Sequence, residues 1–496
     1  MISIAFTLPV LVVSYFYAIE FFNALRYPRN ISPDDSELKD HPKVSILIAT
    51  YNEKNVIEGS LDAIKAIDYP HVKLQLVVAD DSTDETRIIV DRKCDELRRC
   101  GIDVAISRRD SRTHFKSGAL NYASRLLNGE FVLLLDADSV VPSDVLVKGL
   151  GTFLARPSIS FVSYRVGHYN RNQNLTTQLY ALTLDVGDTL GKMGAYAMNL
   201  PFSFQGGFTL ITRYALERVG YWSSGTIVED ADLSCKLYES GMQGIYLSNT
   251  SILSEDPQSL GVWKKQTARV AQGWAKCLTK HFRRILTSKD LSFGRRLALI
   301  FGLLSPIASL SWIVVNFMSA LAVVSGSNAS EASIFSNPAY VALITAPGII
   351  ILAAAMYALY VQGIMTSRNL LLIPLLSYVG FFMLTSNSIG FMSGLCGRTG
   401  HFFRTPKYGS SAKTGASRYS INSSIDMTFL IESVLSAAAL FLSILVLIDG
   451  VWLLSLSLFA FSALTLRSMS LPAALKIETY DAEERATTVI VPTIRI

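Results

Sequence analysis

The sequence has few charged residues and few cysteines for its length. Only 17% of its 496 residues are charged, whereas half are hydrophobic. The five cysteines are scattered and none lies in a CxxC pair, so the sequence predicts neither a disulfide framework nor a zinc site. Internal repeats and low-complexity segments are also lacking, which excludes a repeat architecture. A composition so rich in hydrophobic residues and so poor in charge indicates a membrane protein.

The positive charge is concentrated beside apolar segments. The net charge is +5, and arginines occur in pairs at positions 283–284 and 295–296, next to hydrophobic runs. Because this charge is not spread over one polar face, we predict lipid headgroups as partners and no nucleic acid. The sequence identifies no protein partner.

The first segment is predicted to be a membrane helix. The run from Ile2 to Phe22 is apolar for about 20 residues, the length that crosses a bilayer, and carries only Glu20. A cleaved signal peptide is the alternative, but no basic residue precedes the run and no small-residue cleavage site follows it. We therefore expect an N-terminal membrane helix over residues 1–24. Arg26 and Arg29 come next, and the positive-inside rule then places the following domain in the cytosol.

Residues 40–255 are predicted to form an α/β domain. Apolar runs at 44–49, 76–79 and 131–135 are continuous, which is typical of strands covered by helices on both faces. Each run ends at a polar cluster. Ligands of open α/β sheets bind outside the carboxyl ends of the strands, so these clusters are candidate site residues.

Hydrophobic segments return after residue 297. Residues 256–298 are predicted to be amphipathic interface helices, 299–467 C-terminal membrane helices with a cytosolic loop at 398–418, and 468–496 a cytosolic tail. The predicted spans lie near 299–324, 339–362, 427–448 and 451–466. Segment 370–395 has a polar middle, so a re-entrant or interfacial segment on the cytosolic side is favoured over another crossing. Within the spans Glu432 is almost the only charged residue, which disfavours a transporter.

Asp136-Ala137-Asp138 is the strongest chemical signal. Two carboxylates at a strand end repel each other unless something compensates their charge. Mg²⁺ or Mn²⁺ does so, because such cations take one or two protein carboxylates and complete their coordination with substrate phosphates. A turn in which Asp138 caps the next helix explains the pattern equally well.

Two earlier clusters strengthen the prediction of a ligand site. Thr50, Tyr51 and Glu53 follow the first strand, and Asp80-Asp81 follow the second. A nucleotide pocket needs an aromatic ring for the base and carboxylates for base and ribose. Part of the second cluster also fits a helix N-cap.

The order of these motifs, continued by Glu229-Asp230 and by Gln266-Thr267-Ala268-Arg269, resembles the family 2 glycosyltransferases. The resemblance is to the membrane-integrated branch with the cellulose, mannan and hyaluronan synthases. It implies a GT-A-like α/β nucleotide-sugar-binding domain with a mixed, mostly parallel sheet, inserted between the helices of a polytopic α-helical membrane domain.

The resemblance also implies roles for the donor-site residues. Asp80 or Asp81 would contact the nucleobase, Asp136 would hold the donor, and Asp138 would coordinate Mg²⁺ or Mn²⁺. Lys116 resembles the basic donor-site residue of the family.

On the acceptor side, the resemblance makes Asp230 the general base, next to Glu229. It would take the proton from the acceptor hydroxyl during a single inverting displacement. An acidic pair that stabilises the helix dipole is the alternative explanation of Glu229 and Asp230. Gly206 and Gly207 resemble the acceptor-side loop, where glycine lets the backbone approach a sugar.

Two later motifs complete the resemblance. Arg269 of the QxxR motif suits the diphosphate charge, although an interfacial helix facing lipid headgroups also explains it. The family usually has Trp after this Arg, whereas Val270 stands here, which puts the acceptor and processivity in doubt. The stretch 402–407 resembles a gating loop, in which Thr405 and Lys407 would touch diphosphate. A basic juxtamembrane loop is the alternative.

Together these features predict an integral, multi-pass plasma-membrane enzyme with a cytosolic catalytic domain. It would transfer sugar from a UDP-glucose-like or GDP-mannose-like donor to a growing β-linked polysaccharide and secrete the polymer. The alternative is a non-processive transferase that adds one sugar to a lipid or lipid-linked glycan.

Overall fold

The computed structural model describes residues 2–27, 41–224, 226–326, 338–397, 405–409 and 427–466. A first helix, α1, leads into an α/β domain, and a set of helices follows. The strands are β1 Val44–Thr50, β2 Leu74–Asp80, β3 Asp103–Ser107, β4 Phe131–Asp136, β5 Phe161–His168, β6 Phe208–Thr212 and β7 Gly244–Ser254.

The helices up to the end of the α/β domain are α1 Ile2–Ala24, α2 Ile57–Lys65, α3 Thr86–Arg99, α4 Phe115–Ala123, α5 Val145–Ala155, α6 Leu175–Gly187, α7 Arg213–Arg218 and α8 Glu229–Glu239. Short 3₁₀ turns lie at His71–Lys73 and Ser124–Leu126. A π-helical segment, Asp188–Gly194, and the short helix Ala195–Ala197 continue α6.

The later helices are α9 Leu260–Thr287, α10 Phe293–Leu304, α11 Ile307–Val324, α12 Pro338–Val361, α13 Ser367–Leu372, α14 Leu376–Leu395, α15 Met427–Ile448 and α16 Trp452–Leu466.

The seven strands form one sheet in the order β3-β2-β1-β4-β6-β5-β7. Pairing is parallel except at β6, which runs antiparallel to both β4 and β5. Every residue of β2 is buried, as the continuous apolar runs predict for strands covered on both faces. The predicted mixed, mostly parallel GT-A-like sheet is confirmed.

Segment 370–395 is helical over most of its length. Helix α14 packs closely on α9, because glycines at positions 390 and 394 leave room for the backbone of the neighbouring helix. A Cβ on Gly390 would lie 2.9 Å from the carbonyl carbon of Ala268, and one on Gly394 would lie 2.6 Å from Cβ of Ala275. In the polar middle, Asn387 Nδ2 donates to Ser309 Oγ of α11 (3.3 Å). A re-entrant placement stays a prediction.

Two helices of the described chain are long and apolar enough to cross a bilayer, Ile307–Val324 and Leu430–Ile448. The predicted span at 299–324 is interrupted before Ile307, where Pro306 lacks the N–H that a continuous helix requires. Residues 28–40, 398–404, 410–426 and the predicted tail 468–496 lie outside the described residues. The polytopic topology stays a prediction.

Candidate active site

The carboxyl ends of β1, β2 and β4 meet at one edge of the sheet. Thr50 pairs with Asp80 across β1 and β2, and Ala49 pairs with Asp136 across β1 and β4. The three polar clusters predicted to converge are therefore neighbours. This edge is the candidate site.

The cluster after β1 is held by the loop after β2. Thr50 is buried, and Asn52 adopts a left-handed conformation with φ of 55°. The Asn52 N–H donates to Ser82 Oγ (3.0 Å), which joins the two loops. The Tyr51 ring carries the guanidinium of Arg112 on its face, 3.3 Å from the ring centroid. Next along, the carbonyl oxygen of Glu53 accepts from N–H groups at the start of α2.

Both carboxylates after β2 are paired with arginines. Arg108 Nε donates to Asp80 Oδ2 (2.8 Å), and Arg109 forms a two-nitrogen contact with Asp81. The Asp80 side chain has no exposed surface and that of Asp81 only 6%. The arginines fix both carboxylates in place, and a contact of either with a nucleobase stays a prediction.

Lys116 joins two motifs that are distant in the sequence. Its ammonium lies 2.6 Å from Asp136 Oδ1 and 2.8 Å from Glu229 Oε1. Burial alone would lower the pKa of Lys116, but these two carboxylates outweigh it and raise the pKa above its usual value. Burial likewise raises the pKa of Glu229, and Lys116 with Arg269 lowers it below its usual range. At neutral pH Lys116 and Glu229 are therefore both charged, and Lys116 bridges the carboxylates of Asp136 and Glu229.

Asp230 lies beside this bridge at the start of α8. Its Oδ2 accepts from the Gly206 N–H (3.2 Å) and its Oδ1 from the Ala231 N–H (2.8 Å). Burial, then the charge of Glu229, raises the pKa of Asp230 to about 6. A half-buried carboxylate with a pKa just below neutrality is suited to accept a proton at pH 7.

The glycine loop makes close approach to Asp136 possible. A Cβ at Gly207 would lie 2.6 Å from Asp136 Cγ, so no larger residue fits without displacing that carboxylate. A Cβ at Gly206 would meet Asp230 Cβ at 3.4 Å, an ordinary contact. Position 207 therefore requires glycine more strictly than position 206.

Asp138 is buried and its Oδ2 accepts three hydrogen bonds. The donors are Ser254 Oγ (2.7 Å), the Glu255 N–H (2.9 Å) and Lys407 Nζ (2.7 Å). Burial raises the pKa of Asp138, but Lys407 and the other donors outweigh it and hold the pKa below its usual range. Lys407, which sequence reasoning assigned to diphosphate, is here the counter-ion of the predicted metal ligand.

The segment 405–409 crosses the sheet edge. Lys407 Nζ also donates to the Glu255 carbonyl oxygen (2.6 Å), and the N–H groups of Tyr408 and Gly409 donate to the Glu255 carboxylate (2.9–3.0 Å). On the other side, Asn55 Nδ2 donates to the Lys407 carbonyl oxygen (3.1 Å). Thr405 is buried at the start of this segment. The segment therefore spans the site from the β1 loop to the end of β7.

The residues at this edge fit a cation that is shared with a ligand. Among the described residues, no group of three or more His, Cys, Asp or Glu side chains forms a ready metal cage. Within the same residues, hydrogen bonds reach only Oδ2 of Asp138, which leaves Oδ1 for a cation. Asp138, with Asp136 nearby, supplies the one or two carboxylates that Mg²⁺ or Mn²⁺ takes when phosphates complete its coordination.

The QxxR motif lies on α9, which Ser259 caps by accepting from the Val262 N–H. Gln266 Nε2 donates to the hydroxyl of Tyr180 (3.2 Å). Lys264 pairs with the buried Glu432 of α15 at 2.9 Å. That pairing accounts for Glu432, so the charge in the predicted span has a structural partner.

Val270 and Trp274 are both half-buried on α9. Trp274 packs against the main hydrophobic core of the α/β domain. Because the ring takes part in that packing, Trp274 does not replace the missing aromatic residue at position 270.

Sequence reasoning missed several residues that organise the site. Three arginines, Arg108, Arg109 and Arg112, contact Asp80, Asp81 and Tyr51 respectively. Glu255 anchors segment 405–409. A signal for Glu255 was present, because it opens the polar cluster Glu255-Asp256 directly after β7. His168, buried between Asp185 and Asp256, had no such signal.

Comparison with known proteins gives consistent results. Residues 41–273 match the model of the family "Glycosyltransferase like family 2". The chain is 30% identical over 280 residues to probable glucomannan 4-beta-mannosyltransferase 3 of Arabidopsis thaliana, covering 55% of this chain and 50% of the relative. It is 29% identical over 268 residues to probable glucomannan 4-beta-mannosyltransferase 6 of Oryza sativa subsp. japonica, covering 53% and 47%. The chain thus spans about half the length of the curated relatives it matches.

Among solved structures, the chain resembles the mannosyltransferase PcManGT from Pyrobaculum calidifontis in complex with GDP-Man and Mn²⁺. The TM-score is 0.50 and the identity 24%, with 72% of this chain and 98% of that chain covered. At this identity the likeness shows the fold alone.

Proposed function

We infer a function from the premise that the chain carries a glycosyltransferase domain of family 2, related to glucomannan 4-beta-mannosyltransferases of the cellulose synthase-like branch. The proposed enzyme is an inverting, metal-dependent β-mannosyltransferase. The proposed donor is GDP-mannose, with UDP-glucose as the alternative, and the proposed acceptor is a growing β-linked polysaccharide at the membrane. The names of the plant relatives and the GDP-Man of the structural neighbour support mannose.

The observation that carries the proposal is the bridge through Lys116. Asp136 belongs to the proposed donor side, and Glu229 is next to the proposed base, Asp230. One ammonium within 2.8 Å of both carboxylates brings the two sides of a transfer reaction together. An acidic pair that only stabilises a helix dipole has no need of that partner.

In the proposed reaction, Asp230 takes the proton from the acceptor hydroxyl as its oxygen attacks the anomeric carbon of the donor. The bond from that carbon to the phosphate oxygen breaks, and the nucleoside diphosphate leaves. A single displacement inverts the configuration, so an α-linked donor gives a β-linked product. Asp138 and Asp136 would hold the divalent cation, which neutralises the developing charge on the diphosphate.

Arg269 and Lys116 supply further positive charge for the diphosphate. Segment 405–409 is proposed to cover the donor and exclude water that would otherwise hydrolyse it. Its anchoring by Glu255 and Asn55 supports a covering position. Lys407, whose ammonium lies 2.7 Å from Asp138 Oδ2, would contact the donor diphosphate in place of that carboxylate.

We further propose a multi-pass plasma-membrane protein with a cytosolic catalytic domain, which passes the polymer through its own helices. Support comes from two apolar helices of spanning length and from the joining of α9 to α14 and α15. Through these contacts, the helix that bears the QxxR motif is attached to the helices of the proposed membrane domain.

A non-processive enzyme is the second candidate. Val270 favours it, because the aliphatic side chain offers no flat ring on which an acceptor sugar could stack, and Trp274 is engaged in the core. The acceptor would then be a lipid or a lipid-linked glycan.

The test is transfer by the full-length protein in lipid nanodiscs. Radiolabelled GDP-mannose and UDP-glucose are supplied in turn with Mg²⁺, Mn²⁺ or EDTA, and products are sized. Long mannose-containing chains that require the cation support the synthase. A single mannose on lipid supports the second candidate, and transfer from neither donor overturns both.

A further inference from the structure

A second polar site lies at the opposite edge of the sheet. A cavity of about 390 Å³ opens beside the amino ends of β5 and β7, and it is lined by three arginines from separate parts of the chain. We call it the arginine cavity, after Arg26, Arg156 and Arg295.

Two of the three guanidinium groups are held in orientation by neutral partners. Arg295 donates from Nε to the carbonyl oxygen of Asn199 (3.1 Å) and from Nη2 to its side-chain oxygen (2.6 Å). Arg156 Nη1 donates to the hydroxyl of Tyr196. Each guanidinium has five N–H donors, so several remain for a ligand.

The charge of the arginine cavity is not compensated by its walls. None of the described residues that line it is acidic. Within the same part of the chain, none of the three arginines forms an ion pair with Asp or Glu, whereas Arg108 and Arg109 at the other edge both do. Three arginines that line one cavity without a carboxylate make a binding site for an anion with several oxygens, such as a phosphate.

Exposed apolar side chains lie close in the sequence to two arginines of the cavity. Arg26 comes two residues after α1, and Arg295 lies in α10, which leads to the candidate span α11. Large apolar side chains next to these arginines are exposed, with Phe22 58%, Leu25 48% and Phe293 73% accessible. A soluble anion would leave these side chains in water, whereas acyl chains would cover them.

The arginine cavity is separate from the candidate active site. Gly244, at the start of β7, lines it, whereas Ser254, at the end of the same strand, contacts Asp138. Gly244 and Ser254 pair with Phe161 and His168 of β5, which are seven residue steps apart, so the two ends of β7 are separated by roughly 23 Å. A molecule in this cavity is therefore neither the donor nor the acceptor at the moment of transfer.

We propose that the arginine cavity binds the phosphate of an anionic phospholipid, whose acyl chains lie against Phe22, Leu25 and Phe293. The lipid would fix the cytosolic domain against the bilayer at the junction of α1 and α10. The inference rests on the membrane placement in the proposed function, and it is independent of which sugar is transferred.

The test uses the full-length protein in detergent, titrated with fluorescent phosphatidylglycerol. The variant R26Q/R156Q/R295Q is compared with R87Q/R99Q/R218Q, which removes the same charge from exposed arginines outside the cavity. We expect about a hundredfold weaker binding for the cavity variant, since each arginine near an anionic lipid contributes roughly fivefold, and little change for the control. Equal losses in both variants would overturn the proposal.

Three competitors distinguish the ligand sources. Unlabelled phosphatidylglycerol should displace the probe, whereas phosphatidylcholine and inorganic phosphate should not. Displacement by millimolar inorganic phosphate would reassign the cavity to a soluble anion and overturn the lipid assignment. If the triple variant fails to fold, R26Q is tested alone, because the Arg26 side chain is exposed and its replacement should not disturb the fold. R26Q should lose roughly fivefold in affinity for phosphatidylglycerol at an unchanged melting temperature. The transfer assay is separate, so failure of lipid binding is distinguishable from failure of the proposed function.

Discussion

Replacing Asp230 by Asn tests the proposed chemistry most directly. The change keeps the size of the side chain and removes its ability to take a proton. A positioned general base contributes roughly 10²–10⁴ in rate, so we expect kcat to fall by that factor, which corresponds to about 3–5 kcal/mol in the activation free energy.

The effect of this change on stability should be small, because two contributions oppose each other. Both Asp230 oxygens accept backbone N–H bonds, and Asn offers only one oxygen, so one N–H loses its partner at a cost of about 1–3 kcal/mol. Against this, a pKa raised from 3.8 to about 6 means that ionised Asp230 costs the folded state at most about 3 kcal/mol at pH 7. Solvent at the half-buried carboxylate reduces that cost. The melting temperature should therefore change little.

Three measurements on D230N separate the roles. Single-turnover transfer gives the rate, calorimetric titration gives donor affinity, and thermal unfolding in detergent gives stability. We expect the rate to fall at least a hundredfold while the donor Kd stays within about threefold, because the base acts on the acceptor. Equal losses of rate and donor affinity would refute the role of a base.

The same carboxylate predicts the pH dependence of the wild-type enzyme. Asp230 accepts a proton only when ionised, and its pKa is raised to about 6. Activity should therefore fall as the pH drops through about 6, with a log–log slope near one in kcat/KM, which reports the free enzyme. A flat profile between pH 5 and pH 8 would contradict the assignment.

Three smaller changes probe the metal side and the helix packing. Asp138→Ala should weaken GDP binding only in the presence of Mg²⁺ or Mn²⁺, and metal-independent wild-type activity would contradict this. Lys407→Ala removes the ammonium that lies 2.7 Å from Asp138 Oδ2. Mn²⁺ should therefore bind the nucleotide-free variant more tightly than the wild type in an electron paramagnetic resonance titration. Unchanged affinity would show that Lys407 does not compete with the cation for Asp138. Gly394→Ala should destabilise the protein by about 1–3 kcal/mol, because the new Cβ would overlap α9. Gly380→Ala on the same helix serves as the control, because a Cβ there meets open space. Equal melting temperatures of the two variants would refute the packing.

The parallel core of the fold could be predicted because its signals are local. The runs that became β1, β2 and β4 are apolar and continuous, and each ends at a polar cluster. The antiparallel β6 and the neighbouring position of β5 and β7 have no comparable signal, since the order of strands depends on long-range pairing. The break at Pro306 was readable from the residue type and was missed because the apolar run continues across it.

In the candidate site, sequence reasoning found residues but not their partners. Asp138 and Lys407 lie 269 positions apart, and nothing local to either predicts that one ammonium meets that carboxylate. The same holds for Lys116, whose two carboxylate partners come from different motifs. Motif order identifies which residues take part, whereas their pairing is a property of the folded chain.

In the proposed mechanism, Lys116 would link donor binding to the strength of the base. Its positive charge lowers the pKa of Asp230, against burial and the charge of Glu229, which raise it. A donor diphosphate that neutralised Lys116 would weaken this lowering and make Asp230 a stronger base. We therefore expect the acceptor proton to be taken most readily when the donor is in place, with the bridge of Asp136, Lys116 and Glu229 as the physical means of that coupling.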